Sequence, residues 1–238
     1  MILILASGCA SFRSGPSVTR QQVMETAEAY ASHPWRATPA NVFHGTDQAG
    51  VWIDTQDIEF WGIGGWHADG QTNIGVPYCW SGDSTMAEFD RGLQRRRPAG
   101  YHFRGPRIDH GDSALPVGVD CSGLVSRCWQ LNSRRSTYDI GEICDCLPGY
   151  DDLRPGDVVN KPYAHVILFA GWVDPTHERM RVIEAGHMGE DDDPRNYERV
   201  HEDIYDRDWL TKHGFVALRY KRIVENQGET RRDCIAGK

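Results

Sequence analysis

Two stretches of the chain carry apolar residues at helical spacing, and a series of strand-like segments follows the second of them. In the first stretch, Thr19-Arg20-Gln21-Gln22 forms a capping-box start ahead of Val23, Ala27 and Tyr30, which predicts a helix ending near His33-Pro34. The second begins at Cys121, where Leu124, Val125, Cys128 and Trp129 mark one helical face behind Asp120 in an N-cap position. Beyond it the texture changes. Leu153-Arg154-Pro155-Gly156-Asp157-Val158-Val159 reads as a turn entering a strand, and His165–Trp172 as a continuous apolar strand. Met180–Ala185 alternates as its returning partner, and Phe215–Tyr220 adds a further strand. Helices first and strands afterwards predict an α+β fold, with the Cys121 helix packed on an antiparallel β-sheet.

The intervening segments are less regular. Residues 35–75 are rich in Gly, Asp, Trp and His and read as loops with short strands. Trp61-Gly62-Ile63-Gly64-Gly65-Trp66 lacks the Lys-Ser/Thr of a phosphate loop and reads as a turn-rich connector. Residues 83–119 form a mixed polar stretch that reads as an insertion.

Composition narrows the function. The 238 residues include 25% charged and 39% apolar types, enough apolar material for a real core. A net charge of −8 argues against a nucleic-acid partner. The opening Met1-Ile2-Leu3-Ile4-Leu5-Ala6-Ser7-Gly8-Cys9 reads like the end of a secretory signal running into a bacterial lipoprotein box. It lacks a basic n-region and its apolar run is short. The expectation is export to the cell envelope, with membrane anchoring through a lipidated Cys9.

Seven cysteines do not make a disulfide framework, because setting aside Cys9 and Cys121 leaves an odd number. Cys144-Asp145-Cys146 lacks zinc-site spacing, and Glu190-Asp191-Asp192-Asp193 lacks the later ligands of a calcium loop. No metal and no cofactor are expected.

Cys121 is the candidate nucleophile. A small buried cysteine is the plainer reading of any single thiol, but a thiol at a helix N-terminus feels the positive end of the helix dipole, which favours the attacking thiolate. The downstream hairpin supplies partners. A four-residue loop at 173–176 sets His165 directly opposite Glu184, with Cβ atoms about 4.5–5.5 Å apart. A one-residue slip would send them to opposite faces. His187 is the rival for the third position. A thiol, an imidazole and an acidic orienter follow the logic of an activated nucleophile.

Four blocks in order resemble the NlpC family of papain-like bacterial cell-wall cysteine peptidases. Gly75-Val76-Pro77-Tyr78-Cys79-Trp80-Ser81-Gly82 is similar to the family's G-x-P-Y-x-W-G-G, with Ser81 in place of the first glycine of the closing pair. Asp120-Cys121-Ser122-Gly123-Leu124-Val125 resembles its D-C-S-G-L/F-V nucleophile block. Leu153-Arg154-Pro155-Gly156-Asp157-Val158 resembles L-x-P-G-D-L, and His165-Val166 with Gly171 resembles H-V-G-I-Y-x-G. The likeness spans roughly residues 75–220.

It implies a papain-like fold in which Cys121 is the nucleophile, His165 the general base, and Tyr78 a holder of the oxyanion or the substrate backbone. Asp120, Ser122 and Trp80 are implied to bind a peptidoglycan peptide. Where the family usually has a histidine followed by alanine, this chain has Glu184-Ala185. The implied organisation is a signal or lipoprotein-like segment and linker at 1–17, then a helix and loop extension at 18–74. A catalytic domain follows at 75–225, then a polar tail at 226–238.

The family places few residues between its first two blocks. The 83–119 insertion, with Arg104, Arg107, His110 and Asp112, is therefore expected to act as a lid or specificity wall, more important for product choice than for stability. The implied activity is a thiol hydrolase cutting stem peptides after the γ-D-glutamyl residue. An amidase, transglutaminase-like enzyme or acyltransferase using the same residues, and a non-enzymatic wall-binding lipoprotein, remain alternatives.

Overall fold

The computed structural model describes residues 15–62, 65–102, 112–186 and 199–225. The segment around Cys9, the tail at 226–238, His187, Glu190–Asp193, and Arg104, Arg107 and His110 of the insertion lie outside them.

The chain is mixed α/β. A short strand β1 (Val18–Thr19) leads into helix α1 (Arg20–Ser32). Thr19 caps that helix and Gln22 returns the reciprocal bond, the predicted capping box. Two small antiparallel pairs follow, β2 (Pro34–Arg36) with β5 (Thr72–Ile74), and β3 (His44–Thr46) with β4 (Trp52–Asp54). The single-turn helix α2 (Ile58–Trp61) lies between them in sequence.

The insertion carries a helix that was not predicted, α3 (Met86–Gln94). Thr85 and Glu88 form a full capping box at its start, and Phe89 is fully buried, edge-on to Trp35 at 5.3 Å. Ala99, Tyr101, Val117 and Val119 are buried as well. These residues make the described part of 83–119 a piece of the core, not a detachable wall. Shortening it would expose that apolar surface, at roughly 1.5–3 kcal/mol per large side chain.

Helix α4 (Cys121–Cys128) forms where Asp120 and the apolar spacing place it. The main sheet is six-stranded and antiparallel throughout, in the order β10-β9-β8-β7-β11-β6. Its strands are β6 (Cys144–Cys146), β7 (Val158–Lys161), β8 (His165–Trp172), β9 (Arg179–Ala185), β10 (Val200–Asp206) and β11 (Val216–Tyr220). Helix α5 (Arg207–Lys212) follows β10, and β12 (Ile223–Val224) pairs in parallel with β1.

Alternate residues of β8 serve two cores. Val166, Leu168 and Ala170 join Leu124, Val125 and Trp129 of the α4 segment, whereas Ile167 and Phe169 join Val182, Tyr205 and Phe215.

The predicted register of the β8–β9 hairpin is wrong. Trp172 faces Met180, three positions further along than a four-residue loop would give, and a bulge between Phe169 and Gly171 takes one back, so that Leu168 faces Ile183 with a shift of two. The reason is the connection at 173–178. There the Asp174 carboxylate accepts the backbone N–H groups of Thr176, Glu178 and Arg179, stabilising a longer loop. Continuing the observed register sets Glu184 across from Ile167, so it meets His165 diagonally. Because the shift here is two and not one, both side chains keep the same face.

The Arg154-Pro155-Gly156-Asp157 turn anchors the sheet to α1. Gly156 has φ +94°, the conformation that favours glycine, and the Asp157 N–H closes the turn on the Arg154 carbonyl at 2.9 Å. The fully buried Asp157 carboxylate then pairs with Arg20 at 2.9 Å and with Arg219 at 2.6 Å. Asp157→Ala would remove the buried ion-pair partner of Arg20, leaving it only the part-exposed Glu225, and the expected loss is about 3–5 kcal/mol. Urea unfolding of the two chains measures it. A loss below about 1 kcal/mol would put this pair in the class of surface bridges.

Candidate active site

The nucleophile block and the Tyr78 block meet at the start of α4. Tyr78 bridges Val119, the Cys79 N–H donates to the Val119 carbonyl at 2.9 Å, and the Asp120 N–H donates to the Gly82 carbonyl at 2.9 Å. The approach is tight. A Cβ on Gly123 would stand 2.0 Å from the Gly82 carbonyl oxygen, so only glycine lets the helix pack here. Ser81 occupies the left-handed region at φ +57°, a conformation suited to the glycine that the resembling block has there.

The Asp120 carboxylate is fully engaged. It accepts the Gly123 N–H at 2.6 Å and the Ser122 hydroxyl at 3.0 Å, and it forms an ion pair with Arg134. Burial acts to lower the Arg134 pKa, but the charge and hydrogen bond of Asp120, with Cys121 adding, outweigh it and raise it. Arg134 thus sets a cation beside the nucleophile helix. It was not anticipated, and only its place a few residues beyond that helix hints at it. Asp120 and Ser122, expected to line a pocket, are both buried in this capping network. Trp80 is half-buried, and Tyr78 is buried with its ring stacked on His102 at 5.3 Å.

His165 opens β8 and is buried. Its Nε2 lies 2.5 Å from Glu184 Oε2, and the Cys121 side chain is near enough to act on the charge of the ring. Burial alone would lower the imidazole pKa. The charge of Cys121, the hydrogen bonds to Cys121 and Glu184, and the Glu184 charge reverse that and raise it to about 10.

Glu184 is itself held, with Tyr205 donating its hydroxyl to Oε1 at 2.9 Å. Tyr205 comes from β10, a strand absent from the sequence-based reading. Its neighbours His201 and Asp203 stand close to Glu184, and the three offer ligand atoms within 4.8 Å of one another. A separate groove of about 800 Å³, lined by Trp35, Asn41, Asp90 and Leu93 among others, contains none of these residues.

The remaining described thiols differ from Cys121. Burial pushes Cys79 and Cys128 far upward and Cys144 to about 12, and none of the three has an imidazole partner shown. Iodoacetamide at neutral pH is expected to modify Cys121 and the exposed Cys146 first, as read by peptide mass mapping. His165→Ala should remove the preference for Cys121 while leaving Cys146 unchanged.

The chain matches no protein-family model, no curated protein and no solved structure. The geometry brings together a thiol at a helix start, an imidazole beside it, and a buried carboxylate on that imidazole.

Proposed function

We propose that the protein is a papain-like thiol hydrolase of the NlpC kind that cuts an amide bond in peptidoglycan stem peptides. The observation that carries this reading is the buried His165–Glu184 pair with Cys121 close enough to the imidazole to raise its pKa. The helix packed on an antiparallel sheet and the meeting of the Tyr78 and Cys121 blocks support it.

In this reading His165 is an imidazolium and Cys121 a thiolate. The thiolate sulfur attacks the amide carbonyl carbon, and the oxyanion is held by the Cys121 backbone N–H at the helix start and by the Tyr78 hydroxyl. Imidazolium gives its proton to the departing amine as the C–N bond breaks, leaving a thioester on Cys121. Neutral His165 then takes a proton from water. The resulting hydroxide cleaves the thioester, releasing the carboxylic acid and restoring the ion pair. Glu184 keeps the ring oriented and stabilises its charge at both stages.

The Leu5-Ala6-Ser7-Gly8-Cys9 box supports action in the bacterial envelope, with the chain anchored by lipid on Cys9. Among the described residues no helix is long and apolar enough to cross a membrane.

Digestion of purified peptidoglycan followed by mass analysis of the products tests the reading. Stem-peptide fragments ending in γ-D-glutamate are expected. Products of amide transfer to an added amine, with no free acid, would move the enzyme to the acyltransferase class. An inert wall would remove the substrate assignment.

A further inference from the structure

We propose that Tyr138 and Tyr163 form a stacking platform for a sugar ring of the wall glycan, so that the enzyme engages stem peptides still attached to their saccharide. The choice of a sugar rests on the hydrolase reading above, because it is drawn from the chemistry of that substrate.

Among the described residues these two are the most exposed large apolar side chains, Tyr163 at 68% and Tyr138 at 62%. Their ring centroids are 4.6 Å apart with planes tilted by 30°. They come from separate segments, and each segment leads to the candidate site. Tyr163 lies in the turn between β7 and β8, two residues before His165, so the two Cα atoms are at most about 7 Å apart. Tyr138 lies in the connection after α4. That connection is pinned at three points: Arg134 pairs with Asp120 beside Cys121, the Arg135 N–H donates to Ser126 Oγ at 3.0 Å, and Asn160 Nδ2 of β7 donates to the Thr137 carbonyl at 3.1 Å. The segment that presents Tyr138 is thus set before any ligand arrives.

The backbone at Tyr163 is the second observation. The Ala164 N–H donates to the Lys161 carbonyl at 3.1 Å, closing a four-residue turn with Pro162 and Tyr163 at its centre. Tyr163 has φ +63°, and a turn with proline second and a left-handed third residue is one that takes glycine there. A bulky side chain in that region is strained. Stability alone would favour glycine at this position, and a ring so exposed gains little from packing in return. Its use therefore lies in what it meets from outside the fold.

The substrate's chemistry selects the occupant. Stem peptides consist of small and charged residues, which offer little for a flat aromatic face to cover. The glycan offers pyranose rings, each with an apolar face of C–H groups and a rim of hydroxyl and amide groups. Tyrosine matches both, with a flat apolar ring and a polar tip. Reach agrees as well. A γ-linked glutamyl residue, one further residue and a lactyl group separate the scissile carbonyl from the sugar, roughly 12–14 Å when extended. A tyrosine two residues from His165 lies within that span. Two rings also fall far short of the roughly 1,000 Å² that a stable protein interface needs, which argues against a second copy of the chain as the occupant.

Two measurements test the platform. In the first, saturation-transfer NMR is recorded with the peptide-free tetramer of β-1,4-linked N-acetylglucosamine. Transfer to the sugar-ring C–H protons is expected with the parent chain and should be lost in Tyr138→Ala and in Tyr163→Gly. Tyr163→Gly should unfold in urea at the same or a higher midpoint, because glycine relieves the left-handed backbone. In the second, KM is compared for a disaccharide-linked stem peptide and for the same stem without sugar. The parent should favour the sugar-linked form, and either substitution should shrink that ratio by roughly three- to tenfold, with the loss falling on KM as removal of uniform binding does. Absence of transfer in the parent, or a KM ratio unmoved by both substitutions, overturns the proposal. An equal rise in KM for both substrates would put the rings on the peptide and overturn the sugar assignment. A clear loss of stability in Tyr163→Gly would make the ring a prop for its turn and overturn the proposal as well. Transfer as expected in a chain that cuts neither substrate would instead fault the hydrolase reading and leave the sugar platform standing.

Discussion

Cys121→Ser is expected to keep the fold and to abolish release of stem-peptide fragments from peptidoglycan. The side chain is small, and the helix cap belongs to Asp120 and Gly123, so the substitution removes no structural bond shown at that position. What it removes is the sulfur nucleophile. A serine hydroxyl is a far weaker acid and nucleophile than a thiol, so attack on the carbonyl carbon fails. Fragment release by mass spectrometry, with thermal unfolding as the control, decides the matter. A serine variant that cuts the wall as well as the parent does would end the thiol-hydrolase reading.

Glu184→Gln should lower turnover by about 10²–10⁴, the size of a general acid–base contribution, with the fold retained. The amide fills the same space and can still bond to His165, but it carries no charge. The pH dependence gives a sharper check. The folded His165 pKa is raised above its ordinary value of 6.5 to about 10, partly by Glu184. The stability it contributes is fully present below about pH 6.5 and is lost as the pH rises through 10. Removing the Glu184 charge lowers that pKa, so the alkaline fall in activity should move to lower pH. The stability gap between parent and variant attributable to His165 should also shrink across the same interval. An alkaline limb that stays in place would separate Glu184 from the imidazole's charge.

The elements that hold the site were legible because their signals are local. A cap, a helical period and apolar strands mark α4, β7 and β8 without reference to anything distant. The His165–Glu184 pairing survived a wrong register because the bulge between Phe169 and Gly171 turns the loop's shift of three residues into one of two. The loop that caused it turns on one carboxylate, Asp174, capturing three N–H groups, which apolar periodicity does not report.

Helix α3 was missed despite a visible Thr85-Met86-Ala87-Glu88 cap, because the polar, Arg-rich surroundings masked Phe89 and Leu93. β10 was missed for a different reason. Glu202, Asp203 and Asp206 break its apolar alternation, yet its inward residues His201 and Tyr205 surround Glu184. Asp157 acts through Arg20 and Arg219, partners distant in sequence that only folding brings together.

The parallel pairing of β1 with β12 also determines how the molecule bears force. Val18 lies beside Ile223 and Thr19 beside Val224, so the two ends of the described fold leave this pairing side by side and in opposite senses. A pull applied through both would slide the strands past each other instead of peeling them apart. The hydrogen bond from the Val18 N–H to the Arg222 carbonyl is then loaded along the strands, with the Arg20–Glu225 ion pair behind it. A pull through both ends would meet that short shear clamp first, and α1 and the sheet behind it would stay in register.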